Sequence, residues 1–90
     1  MANFITKKDG TKEPFNVEKI KKGVIAASTN DGLSGDEALK LSDRVSSTVA
    51  SAFMGVDEVS GAKVREKILE ELDSSSPSVA DSWRNYERTK

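Results

Sequence analysis

The stretch that most constrains this chain is Thr6 to Ile20, TKKDGTKEPFNVEKI, where two extended runs lead into a helix start. Asp9-Gly10 lies between the runs Asn3 to Lys7 and Thr11 to Phe15, and an Asp-Gly pair in that position closes a β-hairpin. If Asp9-Gly10 alone forms the loop, Thr6 sits opposite Glu13 and Ile5 opposite Pro14. If Lys8-Asp9-Gly10 forms a three-residue loop with Gly10 left-handed, Lys7 faces Thr11 and Ile5 faces Glu13. The second register is preferred. It gathers Ile5, Lys7, Glu13 and Phe15 on one face, apolar at one end and charged at the other. Pro14 cannot donate a ladder hydrogen bond, so the second strand is short there or lies on an edge.

Asn16 then reads as a helix N-cap, followed by apolar residues at Val17, Ile20, Val24 and Ala27. The helix is expected from about Val17 to Ser28, ending before the breaker Asn30-Asp31-Gly32. Lysines 7, 8, 12 and 19, with Glu13 and Asn16, converge where hairpin meets helix start. Helix starts present N–H groups and a positive dipole end, so this corner suits an anion such as a phosphate chain. On physics alone, a lysine-rich hairpin is more often a solvated edge that resists aggregation. Lys21 and Lys22 fall on the exposed side of the helix, where solubility accounts for both. Gly23 costs about 1 kcal/mol against Ala inside a helix; close packing of another element there is one explanation.

Ser34 caps a second helix, with Asp36 and Glu37 in its first turn and a core stripe of Ala38, Leu41, Val45, Val49 and Phe53 running to Met54. Gly55 ends it, and Val56 to Val59 suffices for a short third strand beside the hairpin. Ser60 caps a third helix with inner residues Val64, Ile68, Leu69 and Leu72 and an outer face of Arg65, Glu66, Lys67, Glu70 and Glu71. The polar run Asp73 to Ser78 contains Ser76-Pro77, an N-cap with proline at the first helical position. The last helix turns Val79, Ala80, Trp83 and Tyr86 inward. Its two aromatics, the only Trp and Tyr of the chain, are core by default rather than base-stacking groups.

Ninety residues make one small domain, able to bury roughly 60 % of its unfolded surface. Fourteen basic and 15 acidic residues leave a net charge of −1, which gives no global attraction to nucleic acid. Cysteine and histidine are absent, which removes disulfides, zinc ribbons, thiol nucleophiles and imidazole bases together. No apolar run approaches a membrane span or a signal sequence, so a cytoplasmic location is expected.

The pattern Lys7-x-Asp9-Gly10-x-x-Glu13-Pro14-Phe15-x-x-Glu18-Lys19-Ile20 resembles the opening signature of the ATP-cone family. That signature is a hydrophobic strand, K-R-D-G, two variable residues, E-P-F-D, then E-K-I. Lys8 stands where Arg is commoner and Asn16 where Asp is often found; charge and capping ability survive both changes. Val59 to Leu72, V-x-x-x-x-V-x-x-x-I-L-x-x-L, is similar to the family's third helix and the strand before it. Ala80-x-x-Trp83-x-x-Tyr86, followed by Glu87, Arg88 and Lys90, is similar to the closing A-x-x-Y-x-x-Y-R. Trp83 replaces a Tyr there, and Glu87 stands in the usual place of the arginine, for which Arg88 or Lys90 could substitute.

The resemblance implies an α+β fold, a four-helix bundle capped by a small three-stranded sheet, as one domain over residues 1–90. ATP or dATP would bind between sheet and bundle. In the family this module stands at the front of ribonucleotide reductase large subunits, or behind a zinc ribbon in the repressor of their genes. By position, Lys7 and Lys19 would hold phosphates, with Lys8 and Lys90 as further nucleotide-binding candidates. Glu13 and Asn16 would meet ribose or base, and Gly61 to Arg65 would line the far wall. Gly61 and Arg65 differ from the polar residues common there and, with Arg88, are weaker candidates. No protein metal site is expected, although Mg2+ can arrive with a triphosphate.

No constellation of acid, base and nucleophile supports an enzyme. With neither catalytic domain nor zinc ribbon in the sequence, the reading is a stand-alone nucleotide sensor. It would act through a partner such as a ribonucleotide reductase or a regulator, or by homo-oligomerising. The alternative is an ATP-cone-fold protein-interaction or nucleic-acid accessory domain without nucleotide binding. The near-zero charge argues against DNA as the main partner, and no membrane partner is expected.

Overall fold

A computed structural model describes residues 4–88, with side chains through residue 85. Three short strands, β1 (Phe4–Thr6), β2 (Lys12–Pro14) and β3 (Glu58–Ser60), form one sheet in the order β2-β1-β3. Strand β1 runs antiparallel to β2 and parallel to β3. Four helices complete the chain: α1 (Val17–Asn30), α2 (Gly35–Ala52), α3 (Gly61–Ser75) and α4 (Pro77–Arg88). Each packs on two others, α1 and α3 both against α2 and α4. The expected α+β architecture, a helix bundle with a three-stranded cap, is the one observed.

The hairpin register is the one its charges favour. Ile5 pairs with Glu13 and Thr6 with Lys12, the Lys7 N–H donates to the Thr11 carbonyl at 2.8 Å, and the Gly10 N–H to the Lys7 carbonyl at 3.0 Å. Gly10 has φ +87°, the left-handed conformation a three-residue loop demands. The Asp9 carboxylate accepts from both the amide and the hydroxyl of Thr11, which pins the loop. These hydrogen bonds hold the Asp9 carboxyl below the usual carboxylate range.

The bundle core is built from the expected stripes. Val24 of α1, Ala38, Val45 and Val49 of α2, Leu72 of α3, and Val79 and Ala80 of α4 are completely buried. Phe15 and Val59 close the core on the sheet side, with Ile5 packed against them. Gly23 has its explanation in α4: a Cβ there would lie 2.8 Å from the Cη2 and Cζ3 atoms of Trp83. Trp83 is half-buried against the core rather than enclosed by it.

Five boundaries or faces differ from the sequence expectation. Helix α1 continues through Asn30, because α4 braces its last turn: Asn30 Nδ2 donates to Ser82 Oγ at 2.9 Å and Ser78 Oγ donates to Asp31 Oδ2 at 2.7 Å. Helix α2 stops at Ala52 rather than Met54; a turn through Phe53 to Gly55 folds Phe53 onto the core and leaves Met54 exposed. Strand β3 starts two residues later than expected, with Val56 exposed ahead of the ladder. Lys21 is not a free surface lysine: it is half-buried and its Nζ lies 3.3 Å from Asp43 of α2. The polar run after Leu72 is largely helical, since Arg84 of α4 grips Asp73 with two hydrogen bonds, at 2.8 and 3.2 Å. Those bonds also raise the Arg84 pKa.

Candidate nucleotide site

Side chains alternate across a strand, so the hairpin register sorts the charges of the sheet into two sets. Glu13 stands opposite Ile5, and Lys7 is two residues on from Ile5, all on the face turned to the bundle. Thr6, Lys12 and Glu58 share the outer face, where Glu58 accepts from Thr6 Oγ1 and pairs with Lys12 Nζ at 3.4 Å. Lys12 therefore does not join the convergence of lysines expected from the sequence; strand parity sends it to the other side.

On the inner face three charges meet. Lys7 Nζ lies 3.2 Å and Lys19 Nζ 3.6 Å from the same Glu13 oxygen, Oε2. Glu13 is the most sheltered of the three, its side chain 28 % exposed against 54 % for Lys7 and 69 % for Lys19. The Lys7 hydrogen bond first, and the Lys19 charge after it, hold the Glu13 carboxyl below its ordinary value. Lys19 reaches this point because Asn16 starts α1 directly after the hairpin: its Oδ1 accepts from the Glu18 N–H at 2.9 Å. Asn16 thus uses its acceptor as a cap.

Beside this cluster a cavity of about 430 Å³ opens between the end of the hairpin and the start of α3, within the usual size of small-molecule sites. Thr6, Lys7 and Lys8 form one wall, and Ser60, Gly61, Ala62 and Arg65 the other. Lys7 belongs to both cluster and cavity. Ser60 caps α3 by accepting from the Lys63 N–H, and the first turn of α3 carries no acidic side chain. A helix start of this kind is a place of positive potential. A Cβ on Gly61 would meet Ile5 Cγ2 and the Thr6 carbonyl at 3.7 Å, an ordinary contact, so the fold does not require glycine there.

The structure therefore joins Lys7, Lys8, Gly61 and Arg65 around one cavity, and Lys7, Glu13 and Lys19 in one ion-pair cluster. The Arg88 side chain and Lys90 lie outside the described residues, as does the side chain of Tyr86. Thr6 and Ser60 also line the cavity, although nothing in their sequence setting marks them for it. Ser60 announced itself only as a cap, and no local signal tells that the ends of β1 and β3 lie side by side. Cationic walls, a helix start and a cavity of ligand size fit a polyphosphate. Among the described residues, no group of three or more carboxylates forms a metal site.

The profile of the ATP cone domain family matches residues 3–90. The chain belongs to the ATP-cone family. This ATP-cone chain is 38 % identical over 69 residues to the transcriptional repressor NrdR of Lactobacillus helveticus, an alignment covering 77 % of the chain and 43 % of the repressor. It is 35 % identical to NrdR of Lactobacillus acidophilus over the same shares, and 35 % identical to NrdR of Limosilactobacillus fermentum, 44 % of which is covered. The ATP-cone chain thus spans less than half the length of these relatives. Because they are named transcriptional repressors, the expectation that a nucleic-acid partner is unlikely finds no support. Among the described residues, no helix is long and apolar enough to cross a membrane.

Proposed function

We propose that this ATP-cone chain, residues 1–90 acting as one domain, is a cytoplasmic regulatory module that binds ATP or dATP. It would pass that state to a protein partner or to a second copy. The observation that carries the reading is the double position of Lys7, on the wall of the cavity and in the cluster with Glu13 and Lys19. A phosphate chain in the cavity would meet Lys7, Lys8 and the first turn of α3, with Lys19 closing from α1. We assign Glu13 and Asn16 to ribose or base and Arg65 to the rim, with Arg88 and Lys90 as the further candidates that the family resemblance implies. A triphosphate supplies the negative charge, and Mg2+ can travel with it.

The output is shape and association rather than chemistry. Sheet and α1 are linked through the chain at Phe15-Asn16 and by the exposed Lys19–Glu13 ion pair, so a ligand touching both braces one against the other. A ribonucleotide reductase, or a regulator of its genes, is the partner the family points to. Calorimetric titration with ATP, dATP, ADP and GTP tests the proposal. Binding of purine triphosphates is expected. Absence of both heat and thermal shift at millimolar nucleotide would refute it.

A further inference from the structure

We infer that Glu13 is the resident counter-anion of this site, occupying Lys7 and Lys19 until a polyphosphate displaces it; this rests on the nucleotide-site reading above. One carboxylate oxygen lies within ion-pair distance of both ammonium groups, at 3.2 and 3.6 Å. The carboxylate is carried on a strand whose register fixes it to the bundle face, and it is the least exposed of the three side chains. The lysines are long, flexible and more than half exposed, so they can swing to a phosphate while Glu13 stays. Lys7 already lines the cavity into which it would turn. Glu13 remains an anion at neutral pH, because Lys7 and Lys19 favour its charged form. Release therefore comes by displacement and not by protonation.

The consequence is a filter on charge. Drawing both lysines away from Glu13 costs two ion pairs. A ligand with several negative charges can engage both lysines together and offset that cost, whereas a monoanion cannot. Glu13 thereby favours a polyphosphate chain over a single phosphate before any base or ribose contact is made.

The test is titration of inorganic tripolyphosphate into wild-type protein, E13Q, K7A, and K7A with E13Q, at fixed ionic strength. E13Q should bind it about threefold to tenfold more tightly, the range that two exposed ion pairs support. E58Q makes the same change of charge on the outer face and should leave the affinity unchanged. The gain from E13Q should shrink when Lys7 is already alanine. Equal affinity of wild type and E13Q, an equal gain from E58Q, or no binding of tripolyphosphate by any variant would overturn the inference. If tripolyphosphate behaves as expected but ATP and dATP do not bind, the counter-anion stands and the nucleotide reading falls. If ATP binds and E13Q brings no gain, the reverse holds.

Discussion

Gly23→Ala is the substitution whose outcome depends most directly on the packing of α4 against α1. In an isolated helix it should stabilise, by about 1 kcal/mol. Here the added methyl would lie 2.8 Å from two ring carbons of Trp83, against an optimum of about 3.5–4.0 Å. The ring is a rigid plate with only two side-chain torsions, so it relieves the overlap by tilting or by separating the helices. Overpacking of this kind costs about 1–3 kcal/mol, so G23A should be neutral to destabilising by about 2 kcal/mol once the helix gain is subtracted. At the upper end the melting temperature would drop by about 8–16 °C for a domain of this size.

The decisive measurement is the same substitution in a W83L background, where the clashing ring atoms are gone. That background should fold, because Trp83 is only half-buried against the core and leucine keeps an apolar side chain there. In W83L, G23A should stabilise by about 1 kcal/mol. Urea unfolding followed by far-UV circular dichroism gives all four stabilities without relying on the tryptophan. If G23A stabilises wild type as much as it stabilises W83L, the close approach is not what keeps glycine in α1, and the reasoning fails.

Lys7→Ala should weaken nucleotide binding yet barely move the melting temperature of the ligand-free protein, because an exposed lysine contributes little to stability; unfolding with binding intact in the folded fraction would refute the site. Nucleotide affinity should fall as salt rises, a calorimetric series at increasing ionic strength being the check. Asp9, Glu13 and Glu58 all have depressed folded-state pKa values, held by Thr11, by Lys7 and by Thr6 respectively before other causes. Their stabilisation is therefore complete above the unfolded-state carboxylate values and is lost as pH falls through the lower folded-state ones. With no histidine in the chain, melting temperature should be level from about pH 8 to 5 and decline below about pH 4; a step near neutrality would contradict this. Sedimentation with and without ATP or dATP should reveal nucleotide-dependent self-association, or a pull-down nucleotide-dependent partner binding; binding that changes neither would leave a passive binder.

Local chemistry made most of the fold legible. Asn16, Ser34 and Ser60 each cap the helix that follows, and each does so with a side-chain oxygen accepting a first-turn N–H. Asp9-Gly10 with the Ile5–Glu13 pairing followed from turn geometry and one-sided charge. What local chemistry could not supply were the ends decided by distant partners. Asn30 and Asp31 read as breakers, yet Ser82 and Ser78 of α4 hold them in or against the last turn of α1. Asp73 to Ser75 belong to a polar run, yet Arg84 makes them the end of α3. In each case a hydrogen bond from another helix outweighs a weak local preference: Asn30 and Asp31 stand 52 and 47 residues from their partners, and Asp73 stands 11 residues from Arg84 across the turn between α3 and α4.

The site divides along the same line. That Lys7 and Glu13 share a face follows from strand parity once the register is chosen, and Lys19 follows from the position of the cap. Parity applied one step further would also have removed Lys12, which pairs with Glu58 on the outer face. The far wall is different in kind. Ser60 and Gly61 stand beside Thr6 because β3 adds to β1 in parallel, a pairing across more than fifty residues of intervening chain. The parallel pairing brings the C-terminal end of β1 level with the start of α3, so a strand end, a lysine loop and a helix start converge without any of them being unusual in sequence. A binding site made this way is specified by topology, and its residues acquire meaning only after the third strand has found its neighbour. That is why the lysines could be read from the residues themselves, whereas the far wall, Gly61 to Arg65, came only with the family resemblance.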